Sequence, residues 1–369
     1  MAKTAYGVND NEAVKRWSRK LFHEAMKQTY AKRFMGVNSN SLCQTLDDTN
    51  KGPGDRIRVI LRMQLSGNGV SGDATLEGNE EALTTYTDNV TIDQLRHAVR
   101  SSGKMSEQRI PFSVREEARM GLQDWFATRI DTAFFNQISG NSAQTDTRFT
   151  GSQAPTAPTT NNVFYANGHA TEASLTATAS ATFSLGMIDQ AALTARTLSP
   201  VIRPVQTGMT GANYVMFITP EMHYDLRRNT NTLQWGDIQK AAMQGGKISD
   251  NPIFTGALGM YNGVVLHEAF NLPVFTSTGG STTGRAVLCG AQAAIAGFGQ
   301  GNSGNSMNWN EELFDYGNQL GVASGLIWGM KKSVYNSNDF STVVAGAAHS
   351  TAATTASGSR SASISGWGC

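Results

Sequence analysis

Two stretches of this chain have the spacing of a phosphate cradle. Gly67-Asn68-Gly69-Val70-Ser71-Gly72 and Gly299-Gln300-Gly301-Asn302-Ser303-Gly304 both read GxGxxG. In a dinucleotide site the last glycine opens a helix whose N-terminal amides hold the pyrophosphate. The first match instead runs on through Asp73-Ala74-Thr75-Leu76-Glu77-Gly78, and Asp73, Glu77, Glu80 and Glu81 repel phosphate. The second also lacks a following helix of the right kind. Ser101-Ser102-Gly103-Lys104 has the SxxK spacing of an acyl-transfer serine and its lysine, without the motifs that accompany it. The histidines (His23, His97, His169, His223, His267, His349) never fall at a ligand spacing such as HxxxH. His223 and His267 lie beside carboxylates, the ordinary setting of a surface hydrogen-bonded pair. Cys289 ends an apolar run and reads as a small buried hydrophobe rather than a nucleophile. Spacing assembles no set of nucleophile, base and orienting group, so the expectation is a protein without catalytic residues, cofactor or metal.

The first glycine motif sits at the tip of an expected hairpin: RIRVILRMQL from Arg56, then SGNGVSGDATLEGNEEAL, then TTYTDNVTI ending at Ile92. Strands alternate their side chains with period two. Ile57, Val59, Leu61, Met63 and Leu65 accordingly oppose Arg56, Arg58, Arg62 and Gln64, with Ile60 the exception. Hairpin tips normally need about two to five residues. One this long reaches something outside its own domain, and a neighbouring copy of the chain is the expected target.

Upstream, residues 11–35 read as an amphipathic helix capped by Asn9 or Asp10. Val14, Trp17, Leu21, Ala25, Met26, Tyr30 and Phe34 form its stripe; Lys15, Arg16, Arg19, Lys20, Lys27, Lys32 and Arg33 form a basic flank. That flank is either a solvated face or an arm that lies against phosphate-rich material. Residues 93–110 are polar and basic, with Arg96, Arg100, Lys104 and Arg109. Next comes a long spine helix, with Ser113 and Glu116 at capping-box spacing and Val114, Ala118, Leu122, Phe126, Ile130 and Phe134 recurring every four residues. Residues 141–181 are Thr-, Ser-, Ala- and Asn-rich and read as an extended surface insertion; a helix follows at about 183–198.

Tyr214–Ile218 is a continuous apolar run of the kind covered on both faces, and Thr219-Pro220 then starts a helix toward Arg228. A short helix at Gln234–Met243, strands at Val264–His267 and Arg285–Cys289, and a small-residue helix at Ala291–Ala296 complete an α/β lobe over 206–300. Strands return at Asn308–Tyr316 and Ser324–Tyr335, and the small, polar tail from Ala345 is expected to be mobile or laid along a surface.

With 369 residues the chain exceeds what one core usually serves (~250–300 residues), so two lobes or one elongated domain are expected. Charged residues make up only 16% against a typical ~25%, which favours a subunit of an assembly. A net charge of +1 leaves any nucleic-acid contact to local basic patches. Three widely spaced cysteines suggest neither a disulfide framework nor a metal site. No apolar run nears the ~18–20 residues that span a bilayer, and the N-terminus lacks a signal-peptide core, so no membrane partner is expected.

The order of elements (basic arm, long two-stranded loop, spine helix, inserted α/β lobe, returning strands) resembles a tailed-phage major capsid protein of HK97-type fold. VKRWSRKLFHEAMKQTYAKRFMG, LRMQLSGNGVSGDATLEGNEEAL and VTIDQLRHAVRSSGKMSEQRIPFSVREEARMGLQDWFATRIDTAFFNQ resemble, more narrowly, the capsid family named after phage N4. The likeness is tightest over 11–138, looser through 206–340, where FTGALGMYNGVVLHE is similar, and absent from the insertion and the tail.

The resemblance implies an α+β fold with an N-terminal arm over 1–50 and an extended loop over 51–108 lying on an adjacent subunit. A peripheral domain would take 109–205 and 301–345, an axial domain 206–300, and a C-terminal tail 346–369. It implies a structural subunit of an icosahedral head around double-stranded DNA, assembled as hexamers and pentamers in the host cytoplasm and carried in the virion. Scaffolding, portal and decoration proteins would be its partners. The inter-subunit residues would be Arg56, Arg58, Arg62, Gly67, Gly69, Gly72, Asp73, Glu77, Glu80 and Glu81, with the acids meeting Arg96, Arg100 or Arg109 of the neighbour. Lys15, Arg16, Arg19 and Lys20 would face the genome. An encapsulin-like compartment shell and a soluble α/β nucleotide-binding enzyme remain as alternatives.

Overall fold

The computed structural model describes residues 29–46, 54–63, 65–110, 113–207, 211–228, 259–278, 280–299 and 307–350. Its strands begin with β1 Met35–Gly36, β2 Cys43–Leu46, β3 Arg56–Arg62, β4 Thr85–Thr91, β5 Asp93–Arg100, β6 Val163–Tyr165, β7 Val205–Thr207, β8 Gly211–Ile218 and β9 Gly259–Tyr261. They continue with β10 Val264–Glu268, β11 Val274–Thr276, β12 Thr282–Cys289, β13 Ala294–Phe298, β14 Met307–Phe314, β15 Gln319–Lys332, β16 Val334–Tyr335, β17 Asn338–Asp339 and β18 Thr342–Ala348. The helices are α1 Lys104–Gln108, α2 Val114–Ser139, α3 Leu185–Thr197 and α4 Pro220–Arg228.

Two sheets organise the molecule. The first runs β1-β2-β13-β15-β14, with β5 also bonded to β15; the second runs β6-β18-β12-β8-β10-β9, with β11 on β12 and β7 on β8. The four-residue period of α2 buries Ala118, Leu122, Phe126, Ile130 and Phe134 against Val322, Leu326, Trp328 and Met330 of β15. The second sheet is covered on both faces, as the run at Tyr214–Ile218 predicts. Phe217, Val287 and Val344 enter the α2 core, while Met216, Leu288 and Val343 enter a separate core with Ile188 and Ala191 of α3 and Met222 of α4. Each such side chain contributes about 1.5–3 kcal/mol on burial.

Helix ends show which local signals operate. Ser113 is the N-cap residue of α2, but its hydroxyl makes no capping bond, so the capping box does not form. The C-terminus carries a Schellman motif: Gly140 is left-handed (φ 62°), its N–H donates to Gln137 O, and Asn141 N–H donates to Asn136 O, each at 3.1 Å. Thr219 caps α4 as expected, accepting from Met222 N–H at 3.3 Å.

Several elements differ from their sequence-based expectation. Ala291–Ala296 is not helical; β13 begins at Ala294 and is buried throughout between β2 and β15, where small residues suit a crowded strand. Ala345–Ala348 is no mobile tail but part of the fully buried β18, antiparallel to β12; residues 351–369 lie outside the described set. The 141–181 segment is not purely a surface insertion, since β6 extends the second sheet and Leu175 and Ala181 enter the α3 core.

The C-terminal end of the expected N-terminal helix is a 3₁₀ turn, Ala31–Phe34, followed by β1. The spine helix imposes that turn, because Asp131 accepts Tyr30 N–H (3.0 Å) and Ala31 N–H (2.8 Å). Composition does not announce β5, whose eight residues pair with Gly321–Trp328 of β15. The expected helix at Gln234–Met243 lies outside the described residues.

Candidate assembly interface

The expected hairpin forms, but its first strand ends at Arg62 rather than running on to Leu65, which lies exposed in the loop. β3 and β4 pair from Arg56↔Thr91 to Arg62↔Thr85, with Ile57 buried, Val59 and Leu61 half-buried, and Arg56, Arg58, Ile60 and Arg62 exposed. Its base lies on the outer face of the first sheet. Added side chains at Gly297 and Gly329 would run into Ile57 and into the Thr91 carbonyl respectively, and one at Gly299 would press on Ile92 and Ile327. Missing side chains on β13 and β15 thus form the track on which the hairpin base sits. Buried Asp88 of β4 fastens it, pairing with Lys331 and accepting Val334 N–H at 3.2 Å.

From residue 65 to 84 the loop has no regular element and is exposed apart from half-buried Val70. Gly69 and Gly72 take left-handed φ angles of 68° and 67°, and no helix follows them, so the phosphate-cradle reading fails on geometry as well as on charge. Glu81 has a role that sequence spacing does not show. Its carboxylate accepts Ser66 N–H at 2.8 and 3.0 Å, Ser66 O–H at 3.2 Å and Gly67 N–H at 2.6 Å, stapling the two limbs together. Hydrogen bonds from the Ser66 and Gly67 backbone hold its pKa below the usual carboxylate value. An added side chain at Gly67 would come within 2.8 Å of that carboxylate, which is the local reason for this glycine. Glu80 likewise accepts Gly78 N–H at 2.8 Å. Asp73 and Glu77 stand exposed at the tip. Leu65, Leu76 and Leu83 are also exposed, at 58%, 60% and 59%.

The basic residues named as receivers of the acids lie on or beside β5. The Arg96 stem covers Gly325, the Arg100 guanidinium sits 4.2 Å from the Phe314 ring centroid, and Arg109 is exposed just past α1. Lys15, Arg16, Arg19 and Lys20, and all but the first residue of the second GxGxxG match, lie outside the described residues.

The remaining chemical candidates are absorbed by packing. Ser101 is buried and accepts Gly103 N–H at 3.3 Å. His223 pairs with Glu268 at 2.8 Å, and His267 stands edge-on to Phe34 at 5.2 Å, burial and then Arg33 lowering its pKa. Cys43 and Cys289 are free and buried; burial pushes the Cys43 thiol up to about 12 and raises Cys289 as well, the opposite of nucleophile activation. No group of metal-binding side chains occurs among the described residues, and no described helix is long and apolar enough to cross a membrane.

A two-sheet body with a spine helix and a projecting, shape-held loop is the architecture of an HK97-type shell subunit. Residues 5–353 match the family model described as phage capsid protein, and the chain belongs to that family. It is 27% identical over 370 residues to the major capsid protein of Pseudomonas phage KPP25, covering 90% of this chain and 94% of that one. Among solved structures it resembles the capsid of Ralstonia phage GP4 at 32% identity and TM-score 0.75, with 94% and 98% of the two chains covered. The capsid of cyanophage Pam1 shares the fold at 19% identity, TM-score 0.71 and 95% and 97% coverage. The chain is therefore a structural subunit of a phage shell, a virion component that assembles with further copies of itself, and the enzyme alternative is set aside.

Proposed function

We propose that copies of this chain, arranged as hexamers and pentamers, build an icosahedral head around double-stranded DNA, and that the loop between β3 and β4 is the arm one copy lays across the next. The observation that carries this reading is the pairing of a loop held in shape by its own Glu81 with three leucines left in solvent. Apolar side chains held out from the body in this way mark a surface that becomes covered. Leu65, Leu76 and Leu83 supply the buried area, at about 1.5–3 kcal/mol for each side chain fully covered. Asp73, Glu77 and Glu80 set register against cations of the neighbour, Arg96, Arg100 or Arg109, contributing specificity more than affinity. Gly67, Gly69 and Gly72 let the backbone follow the receiving surface, and Arg56, Arg58 and Arg62 present the outer face of β3 to it.

The same reading takes residues 1–50 as an arm, 51–108 as the extended loop, 109–205 with 301–345 as a peripheral domain and 206–300 as an axial domain; the tail, expected over 346–369, begins only after β18, which ends at Ala348. Lys15, Arg16, Arg19 and Lys20 face the genome, and membership narrows to the group named after phage N4. Scaffolding, portal and decoration proteins join the head, which is assembled in the host cytoplasm. The test reverses Asp73, Glu77 and Glu80 to lysine together and examines the product by negative-stain microscopy. The expected outcome is soluble subunits with unchanged melting temperature and no shells; normal shells would overturn the role of the loop acids.

A further inference from the structure

The outer flank of α2 carries an arginine clamped between two aromatic rings. The guanidinium carbon of Arg129 lies 3.9 Å from the Phe149 centroid and 5.1 Å from that of Trp125, one helical turn earlier. Both rings are themselves positioned. His97 of β5 stacks on Trp125 at 4.5 Å and 18°, and Asn136 donates to the Phe149 carbonyl at 3.0 Å. The nearest acid is already engaged, since Arg148 grips Asp146 with three contacts of 2.6–3.0 Å. No N–H of Arg129 meets an acceptor among the described residues.

A guanidinium offers five donors in a rigid fork that matches a phosphate, and stacking on aromatic faces holds the plane without consuming those donors. Fixing the plane in advance also removes part of the ordering cost of binding. Burial, and then the Arg148 cation, depress the pKa of Arg129 against the opposing pull of Asp146, as expected of a cation lacking a facing anion. Arg148 stands 71% exposed alongside with its charge already paired to Asp146, so the donors left for an incoming anion are those of Arg129.

We propose that Arg129, clamped between Trp125 and Phe149, is a phosphate-binding site that takes the phosphodiester backbone of duplex DNA without reading its sequence. The identity of the polyanion rests on the capsid reading above; the anion site itself does not. Unassembled protein is titrated with a duplex DNA fragment across a salt series. R129Q is expected to flatten the slope of log K against log salt by about 0.9, the share of one phosphate contact, with melting temperature unchanged. An unchanged slope overturns the proposal, whether or not the melting temperature falls, because the stack is then purely structural.

Should R129Q not fold, wild-type protein is labelled with phenylglyoxal and read by peptide mass spectrometry. Duplex DNA at low salt is expected to protect Arg129, and equal labelling with and without DNA overturns the site. Protection by millimolar inorganic phosphate equal to that by DNA identifies a small-anion site and overturns the genome as its source. Microscopy of R129Q scores the capsid reading separately: shells lost while the DNA slope is unchanged would assign Arg129 to a carboxylate of a neighbouring copy and overturn the proposal.

Discussion

Glu81 and the Lys332–Asp339 pair show how differently two kinds of charge act here. Glu81 is exposed, and its depressed pKa follows from backbone donors that favour the carboxylate. A depressed carboxylate contributes stability above its ordinary pKa and loses it as pH falls through the lower folded value. Protection of the Ser66 and Gly67 amides from hydrogen exchange, corrected for intrinsic rates, should therefore persist at pH 4.5 and vanish only at lower pH; loss well above 4.5 would contradict the staple. Lys332 and Asp339 are fully buried with Nζ and Oδ1 2.7 Å apart, and burial pushes the lysine pKa down and the aspartate pKa up. Removing one partner strands the other charge. D339A should thus destabilise by about 3–5 kcal/mol in chemical denaturation, while K332M/D339L should cost clearly less. Neither role is visible in sequence, because Ser66 and Glu81 are separated by the whole tip, and nothing in MKKSVYNSND distinguishes Lys332 from Lys331.

At the scale of elements, the hairpin depends on residues that are small rather than on residues that bind. β15 reads QLGVASGLIWGMKK, with glycines at 321, 325 and 329, all on the strand face opposite Val322, Leu326, Trp328 and Met330. A side chain at 329 would enter the Thr91 carbonyl, so G329V should lift the hairpin base as well as destabilise the subunit by at least the ~1–3 kcal/mol typical of overpacking. Hydrogen exchange should localise the change to β4; unaltered protection of Val90 and Ile92 would refute the glycine track. The alternation of β3 was legible because period two and burial on one face say the same thing. β5 was not legible, since DQLRHAVR is mostly exposed and its pairing with β15 is set by a partner more than two hundred residues away.

Across the whole molecule, the second sheet joins the two cores by contributing one face to each. Successive residues of β8 show the coupling: Phe217 stands edge-on to Phe34 at 4.9 Å and to Phe135 of the spine helix at 5.5 Å in one core, while Met216 and Ile218 on either side of it enter the other. Unassembled subunits should therefore unfold in one transition. F126A in one core and I188A in the other, costing about 3–5 and 2–5 kcal/mol, should each shift that same transition. Two separable calorimetric transitions, each sensitive to one substitution, would show that the sheet does not couple the cores.

The sequence by itself determined the parts whose signals are local and repeated. These are the spine helix with its four-residue period, the alternating hairpin with its oversized tip, the doubly covered strand at Tyr214–Ile218 and the capped helix after Thr219. Only the tertiary structure decided that Ala294–Phe298 and Thr342–Ala348 are buried strands, because alanine, glycine and threonine carry weak preferences and take the state their neighbours impose. It alone brought Glu81 to Ser66, Arg129 between Trp125 and Phe149, and the hairpin base onto its glycine track. Each of these is a contact between segments whose separation in sequence, or whose missing side chain, leaves no periodic trace.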